Sequence, residues 1–173
     1  VASAGLDELR SHWIELFDHG KGSVSLYETE YGRMRGMSKG NDLADLAGFY
    51  QAFGLDLDAT EVHEVHDHVS VELEFYATLL AKERYLREQS NDEGAEIVAD
   101  ARQKFLKDHL DGFVGALAGR VQDDATYAAL FGWTASLVRH ECELSGVVPP
   151  PLDYFADEEA RSEMKCASLP VIQ

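Results

Sequence analysis

Apolar residues recur at helical spacing along most of this chain, whereas the alternation typical of strands is nearly absent. The pattern predicts five helices. The first two are expected to end near glycines, which tolerate the left-handed conformation common after a helix. Their apolar positions are Leu6, Leu9, Trp13, Leu16 and Phe17, before Gly20 and Gly22, and then Leu43, Leu46, Ala47, Tyr50 and Phe53, before Gly54.

The third predicted helix, from Val69 to Leu80, has two apolar faces. A helix that is apolar on two sides is normally covered on both, so we expect it near the centre of the fold. One face carries Val69, Leu73, Tyr76 and Leu80, and the other carries Val71, Phe75 and Leu79.

A polar loop at residues 90–94 separates this helix from a long fourth helix and then a fifth. Asp123 or Asp124 is expected to cap the start of the fifth helix, and Gly146 to end it. The apolar positions are Ile97, Ala101, Phe105, Phe113, Val114 and Leu117 in the fourth helix, and Tyr127, Leu130, Phe131, Leu137, Val138 and Leu144 in the fifth.

These elements predict an all-α fold, a compact multi-helix bundle that forms one domain over residues 1–155. Prolines at positions 149, 150 and 151 cannot continue a helix. Residues 156–173 show no helical periodicity and begin with an acid-rich stretch. We therefore expect them to form an extended or partly disordered acidic tail.

The chain is strongly acidic, with 15 Lys and Arg residues against 32 Asp and Glu residues and a net charge of −17. Binding to nucleic acid or to an anionic membrane requires clustered cations, so both partners are excluded, and a cationic partner is favoured. No apolar run is long enough to span a bilayer, and no secretory leader follows Val1, which predicts a cytoplasmic protein without membrane insertion. Cys142 and Cys166 are expected to be free thiols.

A dense polar cluster precedes the third helix, where His63, His66 and His68 lie among the acids Glu64 and Asp67. The histidine spacing would permit zinc, copper or nickel binding, so a metal-binding helical protein or metalloenzyme is one alternative. The other interpretation is a solvated loop that ends at Asp67 as the N-cap of the helix. Because no cysteine or HExxH pattern accompanies the histidines, we expect no metal.

The acids Glu72 and Glu74 lie two positions apart, so they point to different sides of the third helix. One is expected to face solvent, and the other to be buried with a partner. The chain shows no nucleophile paired with a base and no glycine-rich phosphate loop, which argues against an enzyme or a bound cofactor. A ligand-sensing helical domain with a buried small molecule remains a further alternative.

Several blocks, in matching order, resemble the TorD/DmsD/NarJ family of chaperones for molybdenum-containing redox enzymes. The resemblance is closer to the NarJ-like, dehydrogenase-associated side of the family. The matching blocks are Trp13 to Phe17, Leu26 to Glu28, Gly48 to Gly54, Asp67-His68 with Glu72 to Phe75, and Phe105 to Leu110.

This resemblance implies a cytoplasmic chaperone, monomeric or weakly dimeric, that binds an apo molybdoenzyme through its catalytic subunit or its twin-arginine leader. Such a chaperone assists cofactor insertion before export. We expect a client-binding groove with two walls, because the matching blocks also mix aromatic and acidic residues. The expected wall residues are Trp13, Phe17, Tyr27 and Glu28 on one side and Asp67, His68 and Glu72 on the other.

Overall fold

The computed structural model describes residues 5–18, 23–31, 39–55 and 66–149, and the regular structure within them is helical. An isolated antiparallel bridge joins Tyr27 to His68. The prediction of an all-α bundle is therefore confirmed. In chain order the elements are α1 (Leu6–Phe17), a 3-10 turn (Glu28–Glu30), α2 (Lys39–Ala52), α3 (Val69–Glu88), α4 (Asp92–Phe105), a π-helical turn (Leu106–Leu110), α5 (Asp111–Arg120) and α6 (Ala128–Ser145).

The core lies where two helix pairs meet, because α3 packs against α4 and α5 packs against α6. The π-helical turn joins these pairs, and its Leu106 and Leu110 are fully buried. Phe105 lies at the centre, with ring centroids 4.8 Å from Phe75 and 5.4 Å from Phe49. Edge-on aromatic packing of this kind adds to the burial energy and fixes how the helices cross.

Helix α3 buries one broad face instead of the two that the apolar pattern predicted. The buried residues are Val69, Glu72, Phe75, Tyr76 and Leu79. Leu80 is 37% exposed, and Val71 and Leu73 are only half-buried at the margins of the face. The apolar pattern divided this face into two sets of residues because the position at its middle is occupied by an acid, Glu72, which the pattern left out.

The predicted long fourth helix is interrupted by the π-helical turn. One extra residue in a turn rotates everything after it by about 100° around the helix axis. Phe105 before the turn and Phe113 after it therefore both reach the core, whereas Ile97 is 62% exposed. The periodicity had suggested that all three residues lie on a single buried face.

The glycines at two helix ends agree with the local predictions, whereas the N-cap of α6 is Tyr127 and not Asp123 or Asp124. The Asp124 carboxylate accepts hydrogen bonds from the backbone N–H groups of Thr126 and Tyr127 in the turn before α6. Gly146 ends α6 with a φ of 65°, and Gly54 follows α2 with a φ of 74°. Helix α1 ends at Phe17.

Some predicted features lie outside the described residues. These are Gly20, Gly22, His63, Glu64, Cys166 and the tail at 156–173. Within the described part of the chain, no helix is long and apolar enough to cross a membrane.

The position of Phe105 leads to a stability prediction. Phe105→Ala should lower the free energy of unfolding by about 3–5 kcal/mol, because the cavity left at a fully buried ring cannot close. Ile97→Ala in the same helix is the matched control and should change it by less than about 0.5 kcal/mol. Urea denaturation followed by circular dichroism measures both. Equal effects of the two substitutions would contradict the placement of the core.

Candidate functional site

The bridge between Tyr27 and His68 brings two distant parts of the sequence together. The N–H of Glu28 donates to the carbonyl of Asp67 at 2.8 Å, and the N–H of Val69 donates to the carbonyl of Leu26 at 2.9 Å. The rings of Tyr27 and His68 meet edge to face, with centroids 5.1 Å apart. Both side chains are half-buried, so they form part of the surface above a buried interior.

Asp67 lies beneath this surface with 2% of its area exposed. Its carboxylate accepts hydrogen bonds from the hydroxyl of Thr29 at 2.5 Å and from the N–H of Thr29 at 3.3 Å. Helix α3 is capped by His68, whose Nδ1 accepts from the N–H of Ser70 at 3.2 Å. The prediction that Asp67 caps this helix was wrong, because its side chain turns toward the 3-10 turn.

Glu72 lies in the first turn of α3 and is completely buried. Neither carboxyl oxygen has a hydrogen-bond partner in the described part of the structure. Burial raises the pKa of Glu72 well above its ordinary value, and the nearby carboxylates of Glu28 and Asp67 raise it further. Burial therefore favours the protonated form of Glu72. Glu74 is exposed, so one of the two acids is buried as expected. The partner expected for the buried acid is absent among the described residues.

His109, in the π-helical turn, connects three elements. Its Nδ1 lies 3.2 Å from Oε2 of Glu28, and its Nε2 lies 3.1 Å from Oδ2 of Asp45 in α2. The ring is 5% exposed and packs against Phe49 and Phe105.

The protonation of this cluster follows from its partners. Burial opposes a charged imidazole, but the hydrogen bonds and charges of Glu28 and Asp45 outweigh that effect and raise the pKa of His109. Burial also raises the pKa of Glu28, although its bond to His109 partly offsets the rise. Both directions favour bound protons within the buried cluster.

The structure brings together Tyr27, Glu28, Asp67, His68 and Glu72 from the residues that the sequence suggested. Trp13 and Phe17 belong to an aromatic cluster that packs α1 onto the start of α6. Their ring centroids lie 5.4 Å from Tyr127 and 5.4 Å from Phe131, respectively. Trp13 remains 39% exposed, whereas Phe17 is buried.

Sequence reasoning did not assign His109, Asp45 or Thr29 to this site. A signal for His109 was present, because it lies in the Phe105 to Leu110 block that resembles the chaperone family and is four residues after Phe105, on the same side of a helix. No comparable signal existed for Thr29, whose role depends on contact with a residue 38 positions away.

A second polar network lies beneath a cavity of about 390 Å³ between α3 and α6. Arg102 donates to Glu83 at 3.0 Å, to the hydroxyl of Tyr76 at 3.1 Å and to the hydroxyl of Ser145 at 2.7 Å. Two nitrogens of its guanidinium group, Nε and Nη1, are thus engaged within the protein.

The alternative of a metal site rests on histidines that are only partly described, since His63 lies outside the described residues. Among the described residues, no group of three or more His, Cys, Asp or Glu side chains has a geometry that could hold a metal ion. The carboxyl groups of Asp67 and Glu28 are engaged with Thr29 and His109, and burial favours the neutral form of Glu72.

Comparison with known proteins identifies the family. A family model described as nitrate reductase delta subunit matches residues 1–119. The chain belongs to this family. A relative named chlorate reductase assembly chaperone protein, from Ideonella dechloratans, is 32% identical over 132 residues, which cover 75% of this chain and 66% of the relative.

The match confirms the resemblance to the TorD/DmsD/NarJ chaperones. Its span includes every residue of the Tyr27–His68 site and its buried cluster, and it ends before α6 begins. Membership of a chaperone family also supports the prediction that the protein is not an enzyme.

The buried carboxyl of Glu72 leads to a prediction about stability and pH. Glu72→Met should raise the free energy of unfolding by about 1–3 kcal/mol at pH 7, because a methionine of similar size needs no hydrogen bonds. The gain should grow as the pH rises above 4.5. In the unfolded wild-type chain Glu72 ionises near that pH, whereas its pKa in the folded protein is raised, so the wild-type protein loses stability relative to the variant.

Chemical denaturation at several pH values measures this gain. Glu74→Met, on the exposed side of the same helix, is the control and should leave the pH dependence unchanged. If Glu72→Met lowers stability at every pH, Glu72 makes a favourable polar contact in the folded protein.

The pair formed by His109 and Glu28 leads to a second prediction. His109→Gln should lower the free energy of unfolding by about 3–5 kcal/mol at pH 6, because Glu28 loses its buried cationic partner. The pKa of His109 is raised in the folded protein, so its charged form stabilises the fold at low pH. The loss should shrink as the pH rises through that folded-state pKa, because the wild-type imidazole then loses its proton. The matched control is His140→Gln, at a histidine whose side chain is 61% exposed on α6. A loss that is the same at pH 6 and pH 9 would mean that the imidazole acts only by packing.

Proposed function

We propose that this protein is an assembly chaperone for a molybdenum-containing oxidoreductase. It binds the catalytic subunit in its apo form and holds it until the molybdenum cofactor has been inserted. The observation that carries the proposal is the family match over residues 1–119, which contains the whole Tyr27–His68 site. The name of the relative from Ideonella dechloratans supports the same function, with a reductase as the client.

The site is suited to binding and not to catalysis, because its acidic groups are buried inside the protein. The acids Glu28, Asp67 and Glu72 are all buried, and the first two are hydrogen-bonded within the protein. A general acid or base must reach a substrate, and these groups lie beneath the surface. Their proposed role is to hold Tyr27 and His68 at the surface in a fixed arrangement.

The proposed client epitope is a twin-arginine leader at the amino end of the catalytic subunit. The aromatic face of Tyr27 can accept a guanidinium group by a cation–π contact. Asp45, whose side chain is 66% exposed, can accept hydrogen bonds from a second arginine. The net charge of −17 attracts such a basic segment over a longer range.

The apolar stretch that follows the arginines of a leader needs a separate apolar surface. Trp13, 39% exposed and supported from below by Phe17, is the proposed contact for it. The seven residues expected from the sequence are thereby divided into surface contacts and support. Tyr27, His68 and Trp13 would meet the client, while Phe17, Glu28, Asp67 and Glu72 would hold them in place.

A genetic experiment tests the chaperone function. Cells that lack this protein should accumulate a molybdoenzyme subunit without bound molybdenum, measured by metal analysis of the purified subunit. The wild-type gene should restore the metal, and a gene carrying Tyr27→Leu with His68→Ala should not. Full molybdenum content of every molybdoenzyme in the deletion strain would refute the proposal.

Calorimetry with a synthetic twin-arginine leader tests the proposed epitope. Tyr27→Leu should weaken binding by about 0.5–2 kcal/mol, because leucine keeps the bulk of the side chain but loses the aromatic face. Higher ionic strength should weaken binding of the wild-type protein as well. Tyr85→Leu is the control, at a tyrosine that is 60% exposed on α3. Equal affinity for a leader with both arginines replaced by glutamine would rule out the arginine contacts.

A further inference from the structure

Helix α6 presents an apolar stripe to solvent along its whole length. Four side chains within the helix are exposed on this stripe, and Val148 extends it just beyond the helix end. The exposed fractions are 52% for Leu130, 64% for Trp133, 44% for Leu137, 70% for Leu144 and 82% for Val148. The opposite side of α6 is buried through Phe131, Val138 and Cys142, so the stripe is not needed for the core.

The spacing of the stripe makes it self-complementary. Leu130, Leu137 and Leu144 are separated by seven residues each, which is the repeat that aligns apolar residues along one seam between two helices. In an antiparallel pair with its two-fold axis at Leu137, Leu130 of one helix meets Leu144 of the other. Trp133 of each helix then lies opposite Glu141 of the other and one position from His140, whose imidazole edge is within reach of the indole face.

The charges of α6 favour this antiparallel arrangement. Its acids, Glu141 and Glu143, are confined to the carboxyl-terminal half, and the amino-terminal half carries small or neutral residues such as Ala129 and Gly132. With the axis at Leu137, an antiparallel pair places Glu141 of one copy opposite Trp133 of the other and Glu143 opposite Phe131, so no acid faces another acid. A parallel pair would oppose Glu141 to Glu141, which is unfavourable between like charges. Glu141 is also engaged within its own chain by the hydroxyl of Tyr76 at 2.8 Å.

The size of the stripe suits an interface between two copies. Taking about 150–250 Å² for a fully exposed large apolar side chain, these five residues expose roughly 500–600 Å² per copy. Two such surfaces with their polar margins reach about 1,200 Å², the lower end of the range for specific protein interfaces. We propose that the α6 stripe is the interface of a symmetric antiparallel homodimer, with Leu137 at the two-fold axis.

The proposed interface does not depend on the proposed function. It lies beyond residue 119, where the family match ends. Two copies bring together two chains of net charge −17, so their association should be moderate and should strengthen as salt screens the repulsion. A basic partner on the same stripe would show the opposite salt dependence.

Sedimentation equilibrium of the full chain tests the proposal. The mass should rise with concentration from 19.2 kDa toward twice that value, and the transition should move to lower concentration at higher ionic strength. Leu137→Glu should weaken the dimer by at least tenfold, because it places two carboxylates at the axis. Ile97→Glu is the control, at an apolar residue of α4 that is 62% exposed and lies off the stripe; it should leave the dimer intact.

A charge-pairing experiment tests the position of the axis. Leu137→Glu and Leu137→Lys should each be monomeric alone, and their equimolar mixture should form a heterodimer, because opposite charges then meet at the axis. Circular dichroism should show an unchanged helical fold for both variants. A monomer at every concentration and salt, a dimer that survives Leu137→Glu, or two monomeric variants that fail to associate would each overturn the proposal.

Discussion

The ion pair between His109 and Glu28 is the contact on which the arrangement of the site depends. It joins the π-helical turn to the 3-10 turn, and the second nitrogen of His109 extends the link to Asp45 in α2. A charged pair in a protein interior requires close geometry, because desolvation would otherwise outweigh the attraction. The position of the 3-10 turn is thereby fixed relative to the core, and the bridge from Tyr27 to His68 follows from it.

The two buried polar networks of this fold differ in how completely they are satisfied. Arg102 is engaged by Glu83, Tyr76 and Ser145, as expected for a network that only supports the structure. Glu72, by contrast, lies in the broad apolar face of α3 without a hydrogen-bond partner in the described part of the chain. A local rule that is broken at one place in an otherwise consistent fold commonly marks a functional site. Glu72 is near enough to Glu28 and Asp67 for their charges to act on it, so it belongs to the buried cluster of the site.

Features set by neighbouring residues could be predicted from the sequence, whereas features set by distant contacts could not. The helices and the glycines at positions 54 and 146 follow from local periodicity and backbone preference. The π-helical turn leaves no such signal. Its extra residue rotates the side chains that follow, and it is favoured only by the tertiary contacts that those side chains then make. For a similar reason the cap of α3 is His68 and not the predicted Asp67. The Asp67 carboxylate accepts a hydrogen bond from Thr29, which is far away in the sequence.

Helix α6 shows why an apolar pattern alone does not identify a core. Its periodicity suggested that Leu130, Leu137 and Leu144 were interior positions, and the structure exposes all three. The helix in fact carries two apolar faces, of which one packs on α5 and the other meets solvent. An exposed face of this size is costly in water unless another surface covers it. The polar site within residues 1–119 and the apolar face beyond them therefore differ in kind: the first is held by buried polar contacts, and the second is the surface where we propose that a second copy binds.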